Sequence, residues 1–392
     1  MFKRLDMSKF ASCLFVLFLL LPVLPTAMAL VCFWPLLGLA AVCAIFITPS
    51  VVVAQWRQLP KPLVCLLALF FLWVLFVNAW HGQILALLLP VFSIVIFLVF
   101  LVLVCDHKTL AQALFVAALL MAAVALFSLG WQCFVLERGL EYRSWRIGSS
   151  GFGDWANIGN PIDAALYFGF FNIVLLERIS RNCSGIMVSV LAGLGIVCLS
   201  LYLFFTFSRG PIVAVYMVLV LLLCWRFNRR SIALFLVFFG GLLISCWFFE
   251  SIWQSEIARG TTGRVPIWLQ AWEQIKSSYG VGHGFPNALL YWPVAKVSYN
   301  FEHNWFLSVL VRYGVAALLL IVAVIGSAFY RTWQSKAANN AMLAAALLCY
   351  GVVGMQSYVD VLLRLPHFYW LLLWLPLGLV CGGSCKLEDK NC

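Results

Sequence analysis

The chain has 392 residues, 65% of them hydrophobic and 10% charged, with a formal net charge of +11 at pH 7. Apolar runs of about 18 to 22 residues recur along it, the length that crosses a hydrocarbon core, which excludes a soluble globular enzyme and predicts a polytopic membrane protein. The basic residues fall in short clusters between these runs and not on one face, so a nucleic-acid partner is excluded and they read as topology signals and contacts to anionic ligands.

The start, with Lys3, Arg4 and Lys9, an apolar run and Ala27-Met28-Ala29, has the form of a cleavable signal peptide. A multispanning chain can keep such a run as its first helix, and that is the expectation adopted. About twelve transmembrane helices are expected, near 10–28, 30–48, 62–79, 84–104, 109–130, 163–176, 186–206, 211–224, 231–249, 306–329, 340–356 and 366–381. Of the 14 cysteines, most (Cys13, Cys32, Cys43, Cys65, Cys198, Cys224, Cys349) lie inside these runs, where a thiol behaves as a small hydrophobe. No Cys-x-x-Cys or Cys/His ligand spacing occurs, so no metal site, required disulfide or cofactor is expected.

The connecting segments alternate in composition. One set, holding Arg57/Lys61, Lys108, Arg178/Arg181, Arg226/Arg229/Arg230, Arg331/Lys336, Lys386/Lys390 and the N-terminus, has most of the Lys and Arg, which predicts a cytoplasmic side that includes both termini. The other set contains 130–162, 207–211, 250–305 and 356–366. Its basic residues are chiefly arginine: Arg138, Arg143, Arg146, Arg209, Arg259, Arg264 and Arg364, with Lys276 and Lys296. Arginine against the orientation bias suits phosphate or carboxylate, which match its forked donors, although each alone also fits a lipid headgroup contact. The expected organisation is therefore a single integral membrane domain over residues 1–392 with two long outer loops, 131–162 and 250–305, the second forming a helical lid over the membrane.

Within 250–305, Val265, Trp268, Leu269, Trp272 and Ile275 recur at helical spacing opposite Gln270, Glu273 and Gln274, with Pro266 in the first turn. This predicts an amphipathic helix along the interface, with Arg264 at its N-terminus, where exposed N–H groups favour an anion. The following glycine-rich turn, Tyr279 to Phe285, has no preceding strand and carries little chemical weight. Two further positions stand out. Phe207-Ser208-Arg209-Gly210-Pro211 separates two apolar runs with almost no loop, so Arg209 sits at the edge of the hydrocarbon, facing a partner or a polar cavity. His303, between Glu302 and Asn304, ends the polar loop; a histidine there can take a proton from a hydroxyl, or can be structural. Arg312 and Tyr313 interrupt the apolar run that follows, which predicts a short helix near 303–312 and membrane entry at Gly314.

Taken together, Ser208-Arg209-Gly210, Gly263-Arg264 opening a Trp-containing helix, His303-Asn304 followed by Leu307, Leu310 and Tyr313-Gly314, and the turn Gly159-Asn160-Pro161 resemble the bacterial O-antigen ligase family (WaaL) within the O-antigen ligase/polymerase superfamily. The resemblance implies a GT-C-type, metal-independent, inverting glycosyltransferase at the periplasmic face of a bacterial inner membrane. It would move a glycan from undecaprenyl pyrophosphate to lipid A-core oligosaccharide, with membrane lipids around it. Carried over by position, Arg209 and Arg264 would bind the pyrophosphate and His303 would activate the acceptor hydroxyl; Arg146, Asn160, Glu302, Asn304 and Arg364 are supporting candidates. No Asp-x-Asp occurs in the outer loops, which suits arginine in the place of a metal. An O-antigen polymerase and a protein O-oligosaccharyltransferase share these motifs. A lipid-linked glycan flippase would instead need charges at mid-depth in the membrane.

Overall fold

A computed structural model describes residue 15 and residues 57–382, apart from 104–106, 139–144, 148–159, 182–184, 249, 259, 261–262, 286–289, 293–296, 300–301, 336–339, 358–361 and 366. The signal-like start, nearly all of the first two expected spans, Arg143, Arg259 and the Lys386/Lys390 tail lie outside the described residues.

Helices α1 (Lys61–Trp80), α2 (Ile84–Leu103) and α3 (His107–Gly130) follow one another, and α3 runs on into one π-helical turn, Trp131–Val135. Then come α4 (Pro161–Ser180), α5 (Ile186–Thr206), α6 (Arg209–Arg226) and α7 (Arg229–Phe248), each over an expected run. Among the described residues, 6 helices are long and apolar enough to cross a membrane: Lys61–Trp80, Ile84–Val102, Lys108–Val135, Ile186–Thr206, Arg209–Arg226 and Trp305–Gln334. Their outward faces carry large apolar side chains such as Leu72, Phe92, Leu126, Leu194 and Leu319, a surface suited to lipid and not to water. The protein is a multi-pass membrane protein. Its centre is α4, which packs on α3, α5, α6 and the later helix α11 (Ala341–Gly354), and in which every residue from Ala164 to Glu177 is buried.

The last two expected spans turn out differently. α11 has 14 residues, roughly 21 Å of helix against a hydrocarbon core of about 30 Å, and it continues only into the 3-10 turn Met355–Ser357. The run at 366–381 is two pieces, α12 (Tyr369–Leu372) and α13 (Trp374–Gly382), broken at Leu373 and buried almost throughout. Apolar composition cannot distinguish the interior of a protein from lipid, and here the interior is the explanation.

The polar stretch forms α8 (Glu250–Ala258), α9 (Arg264–Ser277) and an antiparallel hairpin, β1 (Leu290–Trp292) with β2 (Val297–Tyr299), in which Leu290 faces Tyr299. The hairpin is the departure from an all-helical fold. α9 buries Ile267, Ala271 and Ile275 against Leu307, Leu310 and Val311 of α10 (Trp305–Gln334). Of the expected apolar stripe, Val265, Leu269 and Trp272 face outward; only Ile275 lies in the seam. Because α9 is apolar on two sides, spacing alone could not say which side meets protein.

α10 kinks at Gly314 (φ 79, ψ −177), the boundary expected from Arg312 and Tyr313. Carbonyls near the kink are taken up from outside the helix: Val311 accepts from His283 N at 3.0 Å, Arg312 from Gly284 N at 2.8 Å and Tyr313 from Trp73 Nε1 at 2.8 Å. In return, Val315 N donates to Gly280 O at 2.8 Å. A Cβ at Gly314 would stand 2.3 Å from the carbonyl oxygens of Gly280 and Val281. The glycine-rich turn given little weight in the sequence is thus the clamp on this kink, and the His283 ring ties it to α9 through Gln274 O at 2.7 Å.

Candidate active site

Arg209 is the first residue of α6 because α5 stops abruptly. Phe207 adopts a left-handed conformation (φ 49), Ser208 is extended, and Pro211 is tolerated in the first turn of the new helix. Arg146 straps this turn, with Nε donating to Thr206 O at 2.9 Å and Nη2 to Ser208 Oγ at 3.3 Å. The strap is itself anchored by Ile147 N on Phe205 O at 3.1 Å and by Trp145 stacked on Phe205. On its other side the turn meets α11: a Cβ at Gly210 would lie 2.2 Å from Ser357 Oγ.

The same Met355–Ser357 turn reaches the histidine. Asn304 is the N-cap of α10, its Oδ1 accepting from Leu307 N at 3.1 Å while Nδ2 donates to Gln356 O at 3.4 Å. The residues next to Arg209 and His303, Gly210 and Asn304, therefore meet one three-residue turn, though 94 positions separate the arginine and the histidine. Arg264 joins from α9. The Trp268 indole, one turn after it, donates to Glu302 O at 3.1 Å, and Arg209 Nη1 donates to Gly260 O at 3.2 Å, in the turn leading to Arg264.

His303 sits in the left-handed region (φ 53), a conformation that costs a side-chain-bearing residue on the order of 1–3 kcal/mol and collects at functional sites. It is 8% exposed, and Glu302 is wholly buried. Burial, and secondly the charge of Arg264, push the imidazole down to about 4, so the ring is neutral at pH 7 and able to accept a proton. Arg209 is open by comparison: its side chain is 42% exposed, with Nε 3.1 Å from Glu256 Oε2.

The structure thus brings the charge of Arg264 to bear on His303 and bonds Arg209 to Gly260, ahead of Arg264, with Arg146, Glu302 and Asn304 bonded nearby. Asn160 serves as a helix cap, its Oδ1 accepting from Ile162 N at 2.8 Å ahead of Pro161. Arg364 is exposed on the segment before α12, where its carbonyl accepts from Trp370 Nε1 at 3.1 Å. Among the described residues no group of three or more His, Cys, Asp or Glu is placed to hold a metal ion.

The family model described as O-antigen ligase matches residues 194–322. Over that segment the chain is similar to the O-antigen ligase family. The segment contains Arg209, Arg264 and His303. A curated relative, the O-antigen ligase of Pseudomonas aeruginosa, is 29% identical over 225 residues, which is 56% of this chain and 54% of the relative. The chain thus spans about half the length of that relative.

Sequence reasoning missed Glu256 and Trp268 as partners. Trp268 had a signal, since it lies four residues after Arg264 on one helical face. Glu256 had none, being one acid among several in a polar stretch.

Proposed function

We propose that the protein is an O-antigen ligase that moves a glycan from undecaprenyl pyrophosphate onto lipid A-core oligosaccharide. In this reading the site lies on the periplasmic face of a bacterial inner membrane, in a GT-C-type fold with both termini cytoplasmic. The observation that carries it is the neutral, buried, left-handed His303 beside Arg264, with its neighbour Asn304 on the same Met355–Ser357 turn that Gly210, next to Arg209, meets. A diphosphate is the ligand these arginines suit best. Both open helices, where the backbone dipole disfavours a cation and favours an anion by about 0.3–1 kcal/mol, and the forked guanidinium matches phosphate oxygens.

The reaction follows from those placements. His303 takes the proton of the acceptor hydroxyl as its oxygen bonds to the anomeric carbon from the side opposite the leaving group, which inverts that centre. The bond from that carbon to the pyrophosphate oxygen breaks, and the charge that gathers on the diphosphate falls to Arg209 and Arg264. They supply the positive charge a metal ion would otherwise provide. Polymerases and protein O-oligosaccharyltransferases use the same donor, so the acceptor separates the readings.

The test is reconstitution in vesicles with a lipid-linked glycan donor and lipid A-core as acceptor. Glycan-bearing core should appear, and His303→Ala should lower its rate by about a hundredfold to ten-thousandfold while undecaprenyl pyrophosphate still binds. Lengthened lipid-linked glycan with unmodified core would instead identify a polymerase, and a loss under tenfold in His303→Ala would remove the base.

A further inference from the structure

Glu256 is assigned no role by the motifs that carry Arg209, Arg264 and His303. It lies on α8, a short helix of 9 residues, and its Oε2 stands 3.1 Å from Arg209 Nε. It is the less exposed partner of the pair, 15% against 42% for Arg209. The second acceptor on the same guanidinium is the carbonyl of Gly260, two residues beyond the end of α8, at 3.2 Å. Nε and Nη1 are thereby engaged, whereas Nη2 takes part in neither bond.

Gly260 has φ 49 and Gly263, the residue before α9, has φ 76, so the chain between α8 and Arg264 bends through two left-handed glycines. Glycine adopts that conformation without steric cost. The Arg209 side chain reaches both ends of this join, Glu256 on α8 and the carbonyl of Gly260 beyond it.

We infer that Glu256 is a positioning residue for the donor site: together with the Gly260 carbonyl it orients the Arg209 fork before the diphosphate arrives. The inference rests on the reading of Arg209 as a diphosphate ligand. Two effects of the carboxylate oppose each other. Its charge repels an incoming diphosphate, but that repulsion acts through a partly exposed and therefore screened pair. Its hold on a long, flexible side chain removes an ordering cost that binding would otherwise bear. The geometry favours the second, since the carboxylate takes the Nε edge and leaves Nη2 for a ligand.

Binding of undecaprenyl pyrophosphate to the purified full chain in detergent separates the possibilities. Glu256→Ala should raise the Kd about tenfold. Glu256→Gln keeps an acceptor oxygen and loses the charge, so it should restore part of the affinity, to within about threefold of the unaltered protein. Unchanged or tighter binding in Glu256→Ala, with Arg209→Ala strongly impaired, overturns the positioning role and leaves the donor reading standing. Should Arg209→Ala bind normally, the donor reading fails and this inference falls with it. If Glu256→Ala does not yield folded protein, Glu256→Gln decides alone: a Kd below that of the unaltered protein makes the carboxylate an anionic stand-in that donor displaces, and overturns the proposal.

Discussion

At one end of α6, Arg226 meets Glu177; at the other, Arg209 meets Glu256. The Arg226 pair is closed. Glu177 is 2% exposed and is bonded by Arg226 Nη2 at 2.9 Å and by Arg181 through Nε at 3.0 Å and Nη2 at 2.9 Å. Ser180 Oγ takes a further bond from Arg226 Nη1 at 2.8 Å, and Arg230 donates to the carbonyl of Arg181. Arg178 and Arg226 also lie in the last turns of their helices, where the dipole favours a cation. The Arg209 pair has one carboxylate, one carbonyl and a guanidinium still largely in the open, at a helix start where a cation is disfavoured. The same residue types thus make a structural staple at one end and, in the proposed reading, an anion receptor at the other. What separates the two roles is burial, bond saturation and the sign of the helix terminus.

Substitutions at the two ends should therefore fail in different ways. Removing Glu177 strands two arginines, a loss of about 3–5 kcal/mol for a buried pair, so Glu177→Ala should lower the melting temperature in detergent by about 10 °C. The surviving folded fraction should bind undecaprenyl pyrophosphate normally. Arg209→Lys should leave the melting temperature within about 2 °C, since an exposed pair contributes at most about 1 kcal/mol, while donor affinity falls about tenfold for want of the fork. Reversal of this pattern, a stability loss in Arg209→Lys and an affinity loss in Glu177→Ala, would erase the distinction.

Much of this was legible in the sequence, for reasons particular to each residue. α5 and α6 were readable because two apolar runs flank the short break Phe207–Pro211, and the Gly314 kink because Arg312 and Tyr313 do not suit lipid. His303 and Arg264 were readable from their neighbours, Asn304 and the helix that follows Gly263. The roles of Asn160 and Asn304 as caps follow from short polar side chains just before a helix, although both were weighed as ligand candidates. Contacts between distant segments left no local trace: the Gly280–Gly284 turn on α10, Glu256 on Arg209, and Arg146 on the Thr206 carbonyl. Nor did composition separate α11, α12 and α13, buried in protein, from helices that face lipid.

A smaller effect tests the scaffold at each end. Trp268 Nε1 to Glu302 O and Asn228 Nδ2 to Ser180 O are both side chain to carbonyl bonds, at 3.1 Å and 2.8 Å. Each is worth about 1 kcal/mol. At the open end that bond ties the helix opened by Arg264 to the residue before His303, so if the proposed site is right Trp268→Phe should lower kcat/KM for transfer about fivefold. Asn228→Ala should lower thermal stability by a similar free energy and leave kcat/KM unchanged. Equal kinetic losses in the two variants would mean that the Trp268 bond serves the fold alone.

The pH profile sharpens the comparison by dividing the open end itself, because Arg209 is exposed and His303 is not. With the His303 imidazole near 4, below its ordinary 6.5, the folded protein prefers the neutral ring. Stability from that preference is fully present above pH 6.5 and is lost as pH falls toward 4. For catalysis the same displacement keeps the base unprotonated. Between pH 7 and 5, kcat/KM should therefore fall less than twofold, whereas a base at the ordinary value would lose roughly 25-fold. In the proposed reading bound donor places a diphosphate against Arg264 and offsets the charge that depresses the ring, so the acid limb of kcat should lie above that of kcat/KM. An acid limb of kcat/KM at 6.5 would mean that His303 is solvated in the free enzyme, and the open end would then be open throughout.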